Sequence, residues 1–322
     1  MSQPGSPADG AERLAALPPL RDVITQFELA ARKSLGQNFL LDLNLTGRIA
    51  RAAQVPADAT VIEVGPGPGG LTRALLRETP ARQVLAIERD SRCLAALAGL
   101  ETAAGGRLTL LAADALAVDV VALTPSPRVV VANLPYNIAT PLLMGWLRRI
   151  TAFTSLTLMF QKEVADRLVA DPGSKTYGRL SVITGWLTEA RSLFSLPPQA
   201  FTPPPKVTSC VVRLTPRQEI GRVGSALWPE AEDIVAMETV TAAAFGQRRK
   251  MLRSSLRALG DAEALLEQAA LSPTARAEEI PVAGFVALAR AYRRQMAQPA
   301  GRDDVAAQQQ RLEKRRRRFP QT

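Results

Sequence analysis

"ATVIEVGPGPGGLTRALLRET", residues 59–79, decides the fold. An apolar, β-branched run meets a cluster of glycines and prolines, and a helix-like run follows. Gly65, Gly67 and Gly70 stand in G-x-G-x-x-G spacing, after a strand and before a helix. That context suits a nucleotide-type cofactor, although a bare strand-to-helix turn has the same spacing. Downstream the alternation repeats. "QVLAIE" precedes the helical "RDSRCLAALAGLE", then come "RLTLLAAD" and "RVVVAN", and "SLTLMFQ" leads into "KEVADRLVA". Strands spaced by helices imply βαβ units and a mostly parallel sheet covered on both faces. Right-handed crossovers make the layout doubly wound and Rossmann-like.

The loop also narrows the choice of cofactor. A pyrophosphate needs successive backbone N–H donors at a helix N-terminus. Pro66 and Pro68 remove two of them. This argues against a dinucleotide and for a nucleoside without phosphate, such as S-adenosylmethionine. Glu88 ends the second strand, where a carboxylate can accept both ribose hydroxyls. Asp114 ends the third and can accept from an adenine amine. Either acid alone also fits a solvated strand end.

"VVVANLPYNIATPLL", residues 129–143, ends a strand on Asn133, Leu134, Pro135 and Tyr136. Proline could simply stop the strand. Methyl transfer to an adenine N6 gives these residues work instead. Two acceptors on its N–H groups favour a pyramidal, nucleophilic nitrogen in line with the methyl carbon. Asn133 offers its side-chain carbonyl. Leu134 offers its backbone carbonyl, held extended by Pro135. Tyr136 offers a ring on which an unstacked base can lie.

Composition sets the outer bounds. The chain has 322 residues, 47% hydrophobic, and a net charge of +10. The excess points to an anionic partner, most often nucleic acid. There is no histidine, so imidazole bases, triads and His-ligated metals are excluded. Cys93 and Cys210 make neither a disulfide framework nor a zinc site, and a reducing cytoplasm is the expected setting. No apolar run approaches the ~20 residues that cross a bilayer. Residues 1–26, with prolines at 4, 7, 18 and 19, read as a disordered extension, 27–216 as the Rossmann-like domain, 217–297 as a small all-helical domain, and 298–322 as a basic disordered tail. In the helical domain, Arg249, Arg253 and Arg257 recur every four residues and are expected on one helix face, flanked by Arg248 and Lys250. Few acids interleave, so the expected partner is RNA phosphate rather than a neighbouring side chain.

Several blocks together resemble the KsgA/RsmA family of ribosomal RNA adenine dimethyltransferases, relatives of the Erm resistance methyltransferases. They are "RKSLGQNFLLD" (32–42), "VIEVGPGPGGLT" (61–72), "VVANLPYNIATPLL" (130–143), "QKEVADRLVADPGSKTYGRLSV" (161–182), "PPQAFTPPPKVTSCVVRL" (197–214) and "AFGQRRKMLRSSL" (244–256). The resemblance spans about residues 27–295, and "SKTYGRLSV" with the last block favours KsgA over Erm. It implies a class I S-adenosylmethionine-dependent methyltransferase domain with a helical C-terminal domain. It implies that Asn38 and Leu40 line the cofactor cleft with Gly65, Gly67, Glu88, Asp114 and Asn133. It also implies that Phe201 sandwiches the target base against Tyr136. The implied substrate is the 3′-terminal hairpin of small-subunit (16S) ribosomal RNA within the immature 30S subunit. There two adjacent adenosines are dimethylated on N6. A monomer without metal or membrane attachment is expected. The alternatives are an Erm-like large-subunit enzyme, a ribosome-assembly factor with non-essential activity, and a dinucleotide-dependent oxidoreductase.

Overall fold

A computed structural model describes residues 7–29, 37–218, 231–247 and 249–297. The chain divides into two compact units, Met1–Trp228 and Pro229–Thr322.

The first unit is built on a seven-stranded sheet of order β4-β3-β2-β5-β6-β9-β7. Its strands are β2 (Thr60–Val64), β3 (Gln83–Glu88), β4 (Leu108–Ala112), β5 (Arg128–Ala132), β6 (Ser155–Gln161), β7 (Thr188–Leu196) and β9 (Ser209–Pro216). All neighbours pair in parallel except at β9, which runs antiparallel to both β6 and β7. The five strands read from the sequence are therefore present and parallel. β2 and β5 are buried along almost their whole length, as a sheet covered on both faces requires. Strand order reverses between β2 and β5, and ligands bind outside the carboxyl ends of strands at such a switch point.

Helices α3 (Leu43–Ala52), α4 (Gly70–Glu78) and α5 (Ser91–Ala103) bring Ile49, Leu71, Leu75 and Leu97 into one core with Val61, Val84, Val129 and Val131. Burying one such aliphatic side chain contributes about 1.5–3 kcal/mol. Asp42 caps α3 by accepting from Asn44 and Leu45 N–H. Asp90 caps α5 by accepting from Arg92 N–H. Further along come α6 (Val120–Leu123), α7 (Tyr136–Leu147), α8 (Lys162–Leu168) and α9 (Arg179–Leu187). Away from the main sheet, β1 (Phe39–Leu40) pairs antiparallel with β8 (Phe201–Thr202).

The N-terminal segment corrects one expectation. Residues 1–26 are not all disordered: α1 (Pro7–Ala15) and α2 (Leu20–Gln26) are helical, with Leu14, Leu20 and Val23 buried. Arg73 donates to the Pro18 carbonyl and Arg13 to that of Ala103, so the segment is fixed to α4 and to the end of α5. The prolines that suggested a tail mark helix starts: Pro7 opens α1 and Pro19 is the N-cap of α2.

The second unit contains α10 (Ala231–Gly246), α11 (Leu252–Ser255), α12 (Ala262–Gln268) and α13 (Val282–Ala297). Phe245 stacks on buried Phe285 at 5.4 Å, tying α10 to α13. The expected single helix through Arg249, Arg253 and Arg257 does not form. Met251 is extended and bridges Arg276, and Leu252 N–H donates to the Ala275 carbonyl, so the helix starts only at Leu252. Arg253 lies on α11 and Arg257 on the 3-10 turn Leu256–Leu259. Arg249 precedes both, and Arg248 lies outside the described residues, as does the basic tail 298–322.

Candidate active site

The glycine loop, the Asn133–Tyr136 turn and residues 37–40 meet at the switch point around one cleft. Gly65, Gly67, Glu88, Asp114, Asn38, Leu40, Asn133, Leu134, Pro135 and Tyr136 all line it. The loop works through close approach. Gly67 has φ +55°, and a Cβ there would stand 3.0 Å from the Phe39 ring. A Cβ on Gly70 would stand 2.5 Å from the Leu40 carbonyl oxygen. Side chains at either position would push β1 off the loop.

The N–H groups of the loop are already committed. Gly65 donates to the Ile87 carbonyl at 2.9 Å, Gly67 to Glu88 Oε2 at 3.2 Å, and Gly69 to the Pro66 carbonyl at 3.0 Å. Pro66 and Pro68 have none to give. Between residues 65 and 69 no donor remains for a pyrophosphate. The loop thus fits a cofactor without phosphate on grounds beyond the two prolines.

Glu88 accepts from Arg89 and Asp90 N–H on Oε1, both at 2.8 Å, besides the Gly67 bond on Oε2. A carboxylate offers about four lone-pair sites, so ribose hydroxyls would share acceptors with this backbone cradle. Next to it, the Arg92 and Gln37 side chains hold the Asp90 carboxyl down at about 2. Asp114 caps the turn Ala115–Ala117 through Leu116 N–H and takes Arg89 Nη1 at 3.3 Å. Both partners of that pair are substantially exposed, so it holds Asp114 only weakly.

The Asn133 amide is oriented by its nitrogen, whose Nδ2 donates to the Asn38 carbonyl at 3.2 Å. That leaves Oδ1 as the acceptor of the amide. The turn also packs on the loop, since a Cβ on Gly65 would stand 3.4 Å from Pro135 Cδ. Tyr136 opens α7 directly after its N-cap, Pro135. Its hydroxyl bonds Ser209 Oγ at 2.6 Å, anchoring the ring to the first residue of β9. Burial pushes the Tyr136 phenol up, so it stays protonated at neutral pH.

Phe201 stands opposite a residue that lines the cleft, Leu40. It is 3% exposed, opposite Leu40 in the β1–β8 pair, and belongs to the core with Leu196 and Val211. Two residues at the site were not singled out from the sequence. Ser209 carries no signal beyond its distance of 73 residues from Tyr136. Glu63 lines the cleft only 1% exposed, and a charged residue inside an apolar strand was the signal. Burial pushes its carboxyl up to about 8, the negative Glu88 adds to this, and the Thr72 hydroxyl pulls it back.

This sheet, with one reversed strand and a glycine loop at its switch point, is the Rossmann-like fold of class I S-adenosylmethionine-dependent methyltransferases. It is shared with a dimethyladenosine transferase from Plasmodium falciparum, at TM-score 0.65 and 24% identity over 77% of this chain and 94% of that one. It is shared also with the 23S rRNA methyltransferase ErmE, at TM-score 0.60 and 26% identity over 79% and 99%. Residues 28–293 match the ribosomal RNA adenine dimethylase family, and the chain belongs to it. Ribosomal RNA small subunit methyltransferase A of Rhodospirillum rubrum is 62% identical over 286 residues, 89% of this chain and 94% of that protein. Its counterpart in Paramagnetospirillum magneticum is 62% identical over 278 residues, 86% and 96%.

Proposed function

We propose that this protein dimethylates adenine N6 in small-subunit ribosomal RNA, with S-adenosylmethionine as methyl donor. The carrying observation is the Asn133 amide, which lines the cleft beside the glycine loop and whose Nδ2 is committed to the Asn38 carbonyl, leaving Oδ1 as its acceptor. S-adenosylmethionine supplies an electrophilic methyl carbon on a sulfonium, which leaves without acid assistance. Every other demand falls on the protein. Asn133 Oδ1 and the Leu134 carbonyl accept the N6 protons and hold the nitrogen lone pair toward the methyl carbon. Tyr136, fixed through Ser209, receives the base by stacking. The methylated amine is acidic enough to lose its proton to water, so a chain without histidine lacks nothing. Glu88 and Asp114 are assigned to the cofactor's ribose and adenine.

Identity of 62% to proteins named for the small subunit, against 26% to ErmE, favours a small-subunit substrate over a large-subunit one. The proposed address is two adjacent adenosines in the 3′-terminal hairpin of the immature subunit, in the cytoplasm. Among the described residues no helix is long and apolar enough to cross a membrane. Arg249, Lys250, Arg253 and Arg257 are exposed and are assigned to RNA phosphate. Undermethylated small subunits incubated with the protein and S-adenosylmethionine, then digested to nucleosides, should yield N6,N6-dimethyladenosine. Unmodified adenosine only, or label in large-subunit RNA, would overturn the reading.

A further inference from the structure

Glu63 takes no part in the methyl transfer, yet it lines the cleft at 1% exposure. It shares a face of β2 with Val61, toward α4, because side chains alternate along a strand. Its Oε2 has no hydrogen-bond partner among the described residues. An ionised carboxylate in that position is costly, and the neutral acid much less so. The charged group acting on it is Glu88 of β3, whose carboxylate already accepts three backbone N–H groups. From α4 it meets the neutral Thr72 hydroxyl, and at the end of β5 the cleft offers the neutral Asn133 amide. The cleft therefore sets two acids side by side, and the one cation in its lining among the described residues, Arg89, pairs with Asp114 instead. The cofactor proposed above carries a fixed positive charge on sulfur, and its product does not.

We propose that Glu63 is a proton-releasing countercharge: neutral in the free protein, it ionises when a sulfonium-bearing ligand fills the cleft, and so favours the donor over its thioether product. This rests on S-adenosylmethionine being the donor. The step is a simple exchange, in which the Glu63 O–H bond breaks, the proton goes to solvent and the carboxylate remains in the cleft as the countercharge. Because the free acid titrates at about 8, binding below that pH must expel a proton. Affinity for the sulfonium then rises with pH, by up to about tenfold per unit, and levels off above about 8. Stability of the free protein runs the other way. The folded-state value of about 8 exceeds the ordinary 4.5, so the unfolded chain binds fewer protons between these values and stability falls as pH rises through them.

The test is calorimetric titration of the full chain at pH 7 in buffers of different ionisation enthalpy, which counts protons. Wild-type protein should release most of one proton per S-adenosylmethionine and clearly less with S-adenosylhomocysteine. Glu63→Gln should release none and bind the sulfonium roughly tenfold more weakly, with a smaller change for the thioether. It should also lose less stability between pH 4.5 and 8, which shows that the variant folds. Binding without proton release, equal release for both ligands, or undiminished release by the variant would overturn the proposal alone. A chain that binds no S-adenosylmethionine would overturn the donor assignment and this proposal with it.

Discussion

At the cleft, side chains are tied across long stretches of sequence. Asn133 reaches Asn38 across 95 residues, Tyr136 reaches Ser209 across 73, and the Gly67 N–H reaches Glu88 across 21. The basic segment of the second unit is the reverse. Arg249, Lys250, Arg253 and Arg257 are exposed, and among the described residues none makes an ion pair. The contrast separates two kinds of recognition. A reacting nitrogen must be held to within a fraction of an ångström, so its contacts are fixed before the ligand arrives. Phosphates are recognised by charge, which acts across several ångströms and requires only that the cations be unpaired.

If that division holds, damage at the cleft should cost rate or cofactor, and damage at the basic segment should cost only salt-dependent binding. Asn133→Ala should show the largest effect. Losing one preorganised acceptor should slow single-turnover methyl transfer by about 10²-fold or more. Affinity for S-adenosylmethionine should stay within a few-fold. Turnover near wild type would remove Asn133 from the chemistry.

Glu88→Ala should come next, measured as cofactor affinity by calorimetry. Hydrogen bonds to a charged group contribute about 1.5–3 kcal/mol each, so a loss of tenfold or more is expected. Unchanged affinity would mean that Glu88 only cradles the backbone at Gly67, Arg89 and Asp90.

Changing Arg249, Lys250, Arg253 and Arg257 together to Gln should weaken subunit binding moderately. Each lost phosphate contact should flatten the log–log salt dependence by roughly 0.7–0.9. Cofactor affinity should not move, because none of the four lines the cleft. An altered affinity would break the comparison directly.

Tyr136→Phe should have the smallest effect. The ring remains for stacking while the 2.6 Å bond to Ser209 is lost, a cost of about 0.5–1.5 kcal/mol. A drop of a few-fold in single-turnover rate is expected. A drop as large as that of Asn133→Ala would show the hydroxyl acting on substrate rather than on Ser209.

The sequence by itself determined the sheet strands β2 to β6, because runs such as "VIEV" and "RVVVA" are apolar and β-branched wherever they are placed. It also determined that the loop suits a ligand without phosphate, because a proline lacks its N–H in any fold. The turn proposed to position the nucleophile was legible for a similar reason, since Asn133-Leu134-Pro135-Tyr136 is contiguous. Only the tertiary structure decided what depends on distant partners. The prolines at 7, 18 and 19 looked like disorder, but burial of Leu14, Leu20 and Val23 makes their segment helical. The four-residue spacing of arginines looked like one helix face, but Met251 found a backbone partner in Arg276 and delayed the helix. Strand pairing alone set Phe201 opposite Leu40 of the cleft, at 3% exposure. Glu63 is the sharpest case. Burial at 1% exposure is what pushes its carboxyl up, and burial is not a property of any stretch of sequence.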